Sequence, residues 1–98
     1  MSGESREAQV SRLVLEYAQN VPAIAMPLEP SLSLRDDLAI ESLSLVSLTV
    51  RLGDEIGVDV LQVGLELANV RTVADLVGVA EELARFRRAQ ETQENGGA

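Results

Sequence analysis

The chain has 98 residues and 46% apolar but only 2% aromatic residues, which is enough for one modest aliphatic core in a single domain. It contains no cysteine and no histidine, which excludes a disulfide framework and a thiolate nucleophile and argues against catalysis by the chain alone. The formal net charge of −8 disfavours nucleic acid and anionic lipid as partners and favours basic proteins.

The first predicted element is an amphipathic helix from Ser5 to Val21, preceded by a flexible N-terminus over residues 1–4. Apolar residues recur in it at spacings of three and four, which is typical of one buried face: Val10, Leu13, Val14, Tyr17, Ala18 and Val21. This charged, periodic start differs from a signal peptide, and no apolar run approaches the ~20 residues of a membrane span. We therefore expect a cytoplasmic protein without a membrane span.

A long loop follows the first helix. Three prolines fall within nine residues between Pro22 and Pro30, and they cannot continue a helix. The segment from Pro22 to Asp37 is predicted to be an ordered and partly buried loop.

The second helix is predicted to begin at Ser42 and to end near Gly57, at a Gly-Val-Asp-Val break. A serine at this point commonly caps the free amides of the first helical turn. Gly53 costs the helix about 1 kcal/mol relative to alanine. One apolar stripe suits a core, namely Leu45, Leu48, Leu52 and Ile56. A second stripe could be buried against the long loop or exposed for binding, namely Leu43, Val46 and Val50.

The segment from Val58 to Val70 is apolar and ambiguous, compatible with a short helical turn around residues 65–69 or with irregular chain. Thr72 and Asp75 then predict a capping box with a shorter acid at the start of a last helix. That helix is predicted to end near Ala89, with a basic cluster over residues 85–88 at its partially negative end and a disordered polar tail over residues 90–98. The predicted fold class is all-α: a small bundle of three main helices and a possible short helix, with a long loop between helices one and two.

Several motifs occur in a fixed order along the chain. LRDDLAIESL leads into the second helix, GVDV follows that helix, and RTVADL opens the last one. This order and spacing resemble the acyl carrier protein family over about residues 5–86, which places a carrier domain at residues 5–89. Glu41 stands where the family usually has aspartate.

The resemblance implies covalent attachment of 4'-phosphopantetheine to Ser42, transferred from coenzyme A by a separate phosphopantetheinyl transferase. The working thiol would then arrive on the cofactor, so the chain itself would need neither cysteine nor histidine and would be no enzyme. A phosphodiester on Ser42 would lie at the positive end of the second helix. Glu41 would repel it, so we expect Glu41 to serve partner arginines or the metal of the transferase.

The implied function is that of a discrete, monomeric carrier of acyl or polyketide thioesters, in fatty acid or polyketide biosynthesis or other lipid metabolism. Its partners would be acyl-transferring, condensing or ligating enzymes with basic docking patches. The residues expected to dock them surround the serine: Glu41, Leu43, Val46, Val50, Asp54 and Glu55.

The sequence departs from the family pattern at two pairs of positions. Ser44 and Ser47 stand where fatty-acid carriers often have acidic residues, and Ala39 and Ile40 stand where peptidyl carriers have a glycine pair.

The alternative function is a non-enzymatic helical interaction domain in which Ser42 is only a helix N-cap. An independent enzyme using Asp36 and Asp37 is the least favoured, because adjacent loop carboxylates usually stay solvated.

Overall fold

The computed structural model describes residues 4–19 and 28–96, with side chains up to Glu91. Its helices are α1 (Arg6–Tyr17), α2 (Ser42–Ile56), α3 (Val60–Val63), a 3-10 turn (Leu67–Asn69) and α4 (Val73–Gly96). Within the described ranges there is no strand, and Ser33 and Thr72 form one isolated antiparallel bridge. The predicted all-α bundle with three main helices is confirmed.

The core lies between α1, α2 and α4. The largest buried side chains are leucines from each of these helices and from the loop: Leu13, Leu38, Leu48, Leu52, Leu76 and Leu83. Each such side chain stabilises the fold by about 1.5–3 kcal/mol relative to an exposed one. The two aromatic residues, Tyr17 and Phe86, pack at the edge of this core and are only half-buried. The interior is therefore aliphatic, as the composition predicts.

Helix α1 is shorter than predicted. Ser5 caps its start, where the Ser5 hydroxyl accepts a hydrogen bond from the Ala8 N–H at 3.1 Å. The helix ends at Tyr17 because Ala18 is extended and the Gln19 N–H donates to the carbonyl of Leu38 at 3.1 Å. The predicted core residues of its first turns are buried, and Val21 lies outside the described residues.

The described part of the long loop is ordered and partly buried, as predicted, while residues 22–27 lie outside the described ranges. Backbone hydrogen bonds join it to the start of α4. The Leu34 N–H donates to the Arg71 carbonyl at 2.9 Å, and the Val73 N–H donates to the Leu32 carbonyl at 3.0 Å. Leu38 and other loop residues reach the core, so the loop forms one wall of the bundle.

The predicted capping box at the start of α4 is confirmed. The Asp75 carboxylate accepts the N–H groups of Arg71 at 3.0 Å and Thr72 at 3.1 Å, and the Thr72 hydroxyl accepts the Asp75 N–H at 3.2 Å. These backbone hydrogen bonds lower the pKa of Asp75. Three backbone N–H groups at the entry to α4 are thereby satisfied.

The predicted end of α4 near Ala89 is wrong, since the helical backbone continues to Gly96. The helix therefore extends into residues 90–96, for which a disordered tail was predicted, while residues 97–98 lie outside the described ranges. Four of these seven residues are the good helix formers Gln and Glu, and an ion pair between Arg87 and Glu91 at 3.0 Å supports the helix at i,i+4 spacing.

The basic cluster of residues 85–88 consequently lies within α4 and not in its last turn, which corrects the predicted dipole role. Arg87 instead donates to the carbonyl oxygens of Ile56 at 3.3 Å and Gly57 at 3.1 Å, at the C-terminal end of α2. A guanidinium suits the partially negative end of that helix.

The ambiguous segment after α2 contains two short helical turns. The Asp59 side chain accepts the Leu61 N–H at 3.0 Å and starts α3, and the 3-10 turn lies within the range where a short turn was predicted. Gly53 permits this arrangement, because a Cβ at Gly53 would lie 2.7 Å from the Val58 carbonyl oxygen.

Candidate functional site

Ser42 is the first residue of α2, and its side chain is exposed. The expected N-cap role of Ser42 is wrong, because Glu41 is the N-cap and its carbonyl accepts the Leu45 N–H at 2.9 Å. Ser42 already has helical backbone, so its hydroxyl is not placed as an N-cap oxygen is, over the first-turn amides. No group in the described part of the chain hydrogen-bonds this hydroxyl.

The start of α2 suits an anion in its backbone, although the Glu41 carboxylate directly before it opposes one. Glu41 makes no capping hydrogen bond through its side chain, and the first turn of α2 contains no acidic residue. First-turn N–H groups and the helix dipole together place partial positive charge beside the Ser42 hydroxyl.

A cavity of about 390 Å³ opens beside Ser42. Its walls come from the loop at residues 33–36, the start of α2 and the segment of residues 67–71. Arg35 and Arg71 lie on its lining together with the apolar side chains of Leu45, Leu67 and Val70. The space therefore combines cationic groups with an apolar wall.

The turn before Ser42 depends on an unusual backbone. Ala39 has φ of 55°, the left-handed region that favours glycine, and this costs roughly 1 kcal/mol or more for an alanine. The next residue returns to the loop, because the Ile40 N–H donates to the Leu34 carbonyl at 2.8 Å. Nothing in the sequence indicates a left-handed backbone at Ala39, and the sequence analysis did not predict it.

The second apolar stripe of α2 is exposed, so burial against the loop is not its role. The exposed fractions are 82% for Leu43, 45% for Val46 and 41% for Val50. Leu61 of α3 adds a fourth exposed side chain at 86%, and a groove of about 170 Å³ separates α2 from α3. Sequence reasoning missed Leu61, for which the Asp59 cap before a short apolar run was the available signal.

The predicted charged residues do not all lie together. Glu41 precedes Ser42 directly, and Asp54 lies one helical turn after Val50, on the side of the exposed stripe. Both side chains are exposed.

Glu55 lies on the side of α2 that faces α1. Its carboxylate accepts hydrogen bonds from Arg12 at 2.8 Å and from Gln9 at 3.0 Å. The hydrogen bond from Arg12, followed by that from Gln9, lowers the pKa of Glu55 to about 2. The structure therefore gives Glu55 an intramolecular role and separates it from the other predicted docking residues.

The acidic loop residues stabilise a turn. The Asp37 carboxylate accepts the Ser33 N–H at 2.7 Å, and the Asp36 N–H donates to the Ser33 hydroxyl at 3.0 Å. Across the described ranges, no three acidic side chains are grouped so that they could hold a metal ion. In the same part of the chain, no helix has the length and apolar character needed to cross a membrane.

Comparison with protein-family models, curated proteins and solved structures finds no match for this chain. The resemblance to acyl carrier proteins therefore depends on the sequence motifs alone.

Proposed function

We propose that this protein is an acyl carrier protein in which Ser42 bears 4'-phosphopantetheine. The observation that supports this most is the exposed Ser42 hydroxyl, which has no hydrogen-bond partner among the described residues and opens a helix beside a cavity with two arginines. A phosphodiester fits there, because first-turn amides and guanidinium groups are the usual protein partners of phosphate.

Attachment requires an enzyme that reaches the serine from solvent. A bond forms between the Ser42 oxygen and the phosphorus of coenzyme A that carries pantetheine, while the pyrophosphate bond breaks. Adenosine 3',5'-bisphosphate leaves, and the hydroxyl proton passes to a base of the transferase. The cofactor supplies a thiol that carries acyl or polyketide groups as thioesters.

The folded bundle would present this arm to partner enzymes. Tethering raises the effective concentration of the cargo at a docked active site, and weak electrostatic docking permits rapid exchange between enzymes. The exposed stripe of Leu43, Val46 and Val50, flanked by Glu41 and Asp54, offers an apolar strip with acidic borders. That surface suits the transferase and acyl-transferring, condensing or ligating enzymes with basic patches.

A second candidate is an interaction domain without a prosthetic group. The exposed stripe and Leu61 favour it, because exposed apolar patches of this kind commonly bind protein. In this function Ser42 has no special role, and the protein partner would cover the stripe directly.

Co-expression with a broad-specificity phosphopantetheinyl transferase, followed by intact mass, separates the two functions. The carrier gains one phosphopantetheinyl group in the wild type and in Ser47→Ala, a matched control at an exposed serine of the same helix. Ser42→Ala shows no gain while keeping its helical circular dichroism. An unmodified wild type would reject the carrier function and leave the interaction domain.

A further inference from the structure

Two arginines beside Ser42 form no side-chain ion pair within the described part of the chain, although the Asp75 carboxylate accepts the backbone N–H of Arg71 and senses its charge. Three other arginines are paired with glutamates: Arg12, Arg51 and Arg87. Arg35 and Arg71 make no ion pair with any described residue, and neither do Arg6, Arg85 and Arg88, although acidic residues outnumber basic ones two to one. What distinguishes Arg35 and Arg71 is their place beside Ser42. Both residues line the same cavity as Ser42.

The fold brings these two residues together from distant parts of the chain. Two backbone contacts fix the loop against the start of α4. The Leu34 N–H donates to the Arg71 carbonyl at 2.9 Å, and Ser33 forms an antiparallel bridge with Thr72. Asp36 is the one acidic residue in the cavity lining, beside the two arginines. The cavity is cationic in a protein whose net charge is strongly negative.

We propose that Arg35 and Arg71 form an anion site for the phosphodiester of the arm on Ser42. This inference rests on the proposed function. The phosphodiester is bonded directly to the Ser42 oxygen, so it lies within reach of side chains on the same cavity lining. Guanidinium groups bind phosphate oxygens through paired, charge-assisted hydrogen bonds.

The site also gives the arm a direction. A phosphodiester held by Arg35 and Arg71 turns the first part of the arm towards the loop and the segment of residues 67–71, and away from the groove between α2 and α3. The cavity volume of about 390 Å³ lies within the range of about 300–1,000 Å³ that is usual for small-molecule sites. Leu67 and Val70 offer apolar contact to the methyl groups of the arm.

The test compares apo and phosphopantetheinylated protein by NMR, using backbone amides, arginine Nε–H groups and the ³¹P resonance. Loading should shift the Nε–H resonances of Arg35 and Arg71. The double variant Arg35→Gln/Arg71→Gln should still gain the arm by intact mass but should show an altered ³¹P resonance. Arg85→Gln, at an exposed position of α4, should behave like the wild type.

Each outcome decides one of the two proposals. A loaded wild type whose changes are confined to the groove between α2 and α3 overturns the anion site and leaves the carrier function standing. An identical ³¹P resonance in the wild type and the double variant also overturns the anion site and leaves the carrier function standing. A wild type that cannot be loaded at all overturns both. Both arginines are exposed, so their replacement leaves the core intact.

Discussion

Ala39 controls how the chain enters the helix that presents Ser42. Its φ of 55° directs the turn between the buried side chains of Leu38 and Ile40. Burial of these two neighbours compensates for the strain at Ala39. The position of Ser42 at the start of a helix could be predicted from the sequence, but the left-handed turn before it could not, because tertiary contacts impose it on an ordinary alanine.

Replacing Ala39 with glycine should stabilise the protein. Glycine adopts positive φ without strain, so we expect the free energy of unfolding to rise by about 1 kcal/mol despite the greater entropy of the unfolded chain. Urea denaturation measures this change. The matched control is Ala74→Gly, at an exposed helical position of α4, which should lower the same quantity by about 0.5–1 kcal/mol. Destabilisation by both substitutions would contradict the strain at Ala39.

Helix boundaries were predictable from the sequence where the signal is local and not where other elements decide the outcome. The start of α4 was predictable, because the Thr72–Asp75 box is a local code that needs no tertiary partner. The end of α4 was not predictable, since the segment after Ala89 has a polar composition and mixes Gln and Glu, which favour a helix, with Thr, Asn and Gly, which do not. The exposure of the stripe on α2 also depends on the course of other elements, which periodicity alone does not specify.

The contact between α2 and the start of α3 depends on the absence of a side chain at Gly53. A Cβ there would lie 2.7 Å from the Val58 carbonyl oxygen and from a Val60 methyl group. We expect Gly53→Ala to lower the free energy of unfolding by about 1–3 kcal/mol, because a backbone atom cannot move aside as a side chain can.

Gly78 provides the control for that substitution. It lies in α4, and a Cβ at this position would meet nothing within 4 Å. Gly78→Ala should therefore raise the free energy of unfolding by about 0.5–1 kcal/mol through helix propensity alone. Chemical denaturation of both variants tests the pair, and equal effects at the two glycines would refute the close approach at Gly53.

The contact between α1 and α2 should weaken in acid. The pKa of Glu55 is lowered from 4.5 to about 2, so its ion pair with Arg12 contributes fully above pH 4.5 and is lost as the pH falls towards 2. At neutral pH we expect Glu55→Gln to cost about 0.5–1 kcal/mol of unfolding free energy, as for an exposed pair.

Denaturation across that pH window measures the effect. The difference between the wild type and Glu55→Gln should shrink as the pH falls from 4.5 towards 2. Asp54→Asn, one residue away and without an ion pair to any described residue, should show no such convergence. A difference that stays constant down to the lowest pH would contradict the assigned role of Glu55.

For the whole molecule, charge and architecture support the same function. An acidic surface favours basic partner enzymes, while three of the eight arginines pair with glutamates and two lie beside Ser42. The core of aliphatic side chains from three helices holds the start of α2 at the surface, with the exposed stripe next to it. The bundle thus presents the Ser42 hydroxyl and an exposed apolar stripe on the same helix.

The most direct test is to treat the purified protein with coenzyme A and a phosphopantetheinyl transferase, and to locate the product by tandem mass spectrometry. We predict a single phosphopantetheinyl group on the peptide fragment that contains Ser42, with the other serines unmodified. Attachment at any other residue, or no attachment by a transferase that modifies a known carrier in the same tube, would contradict it.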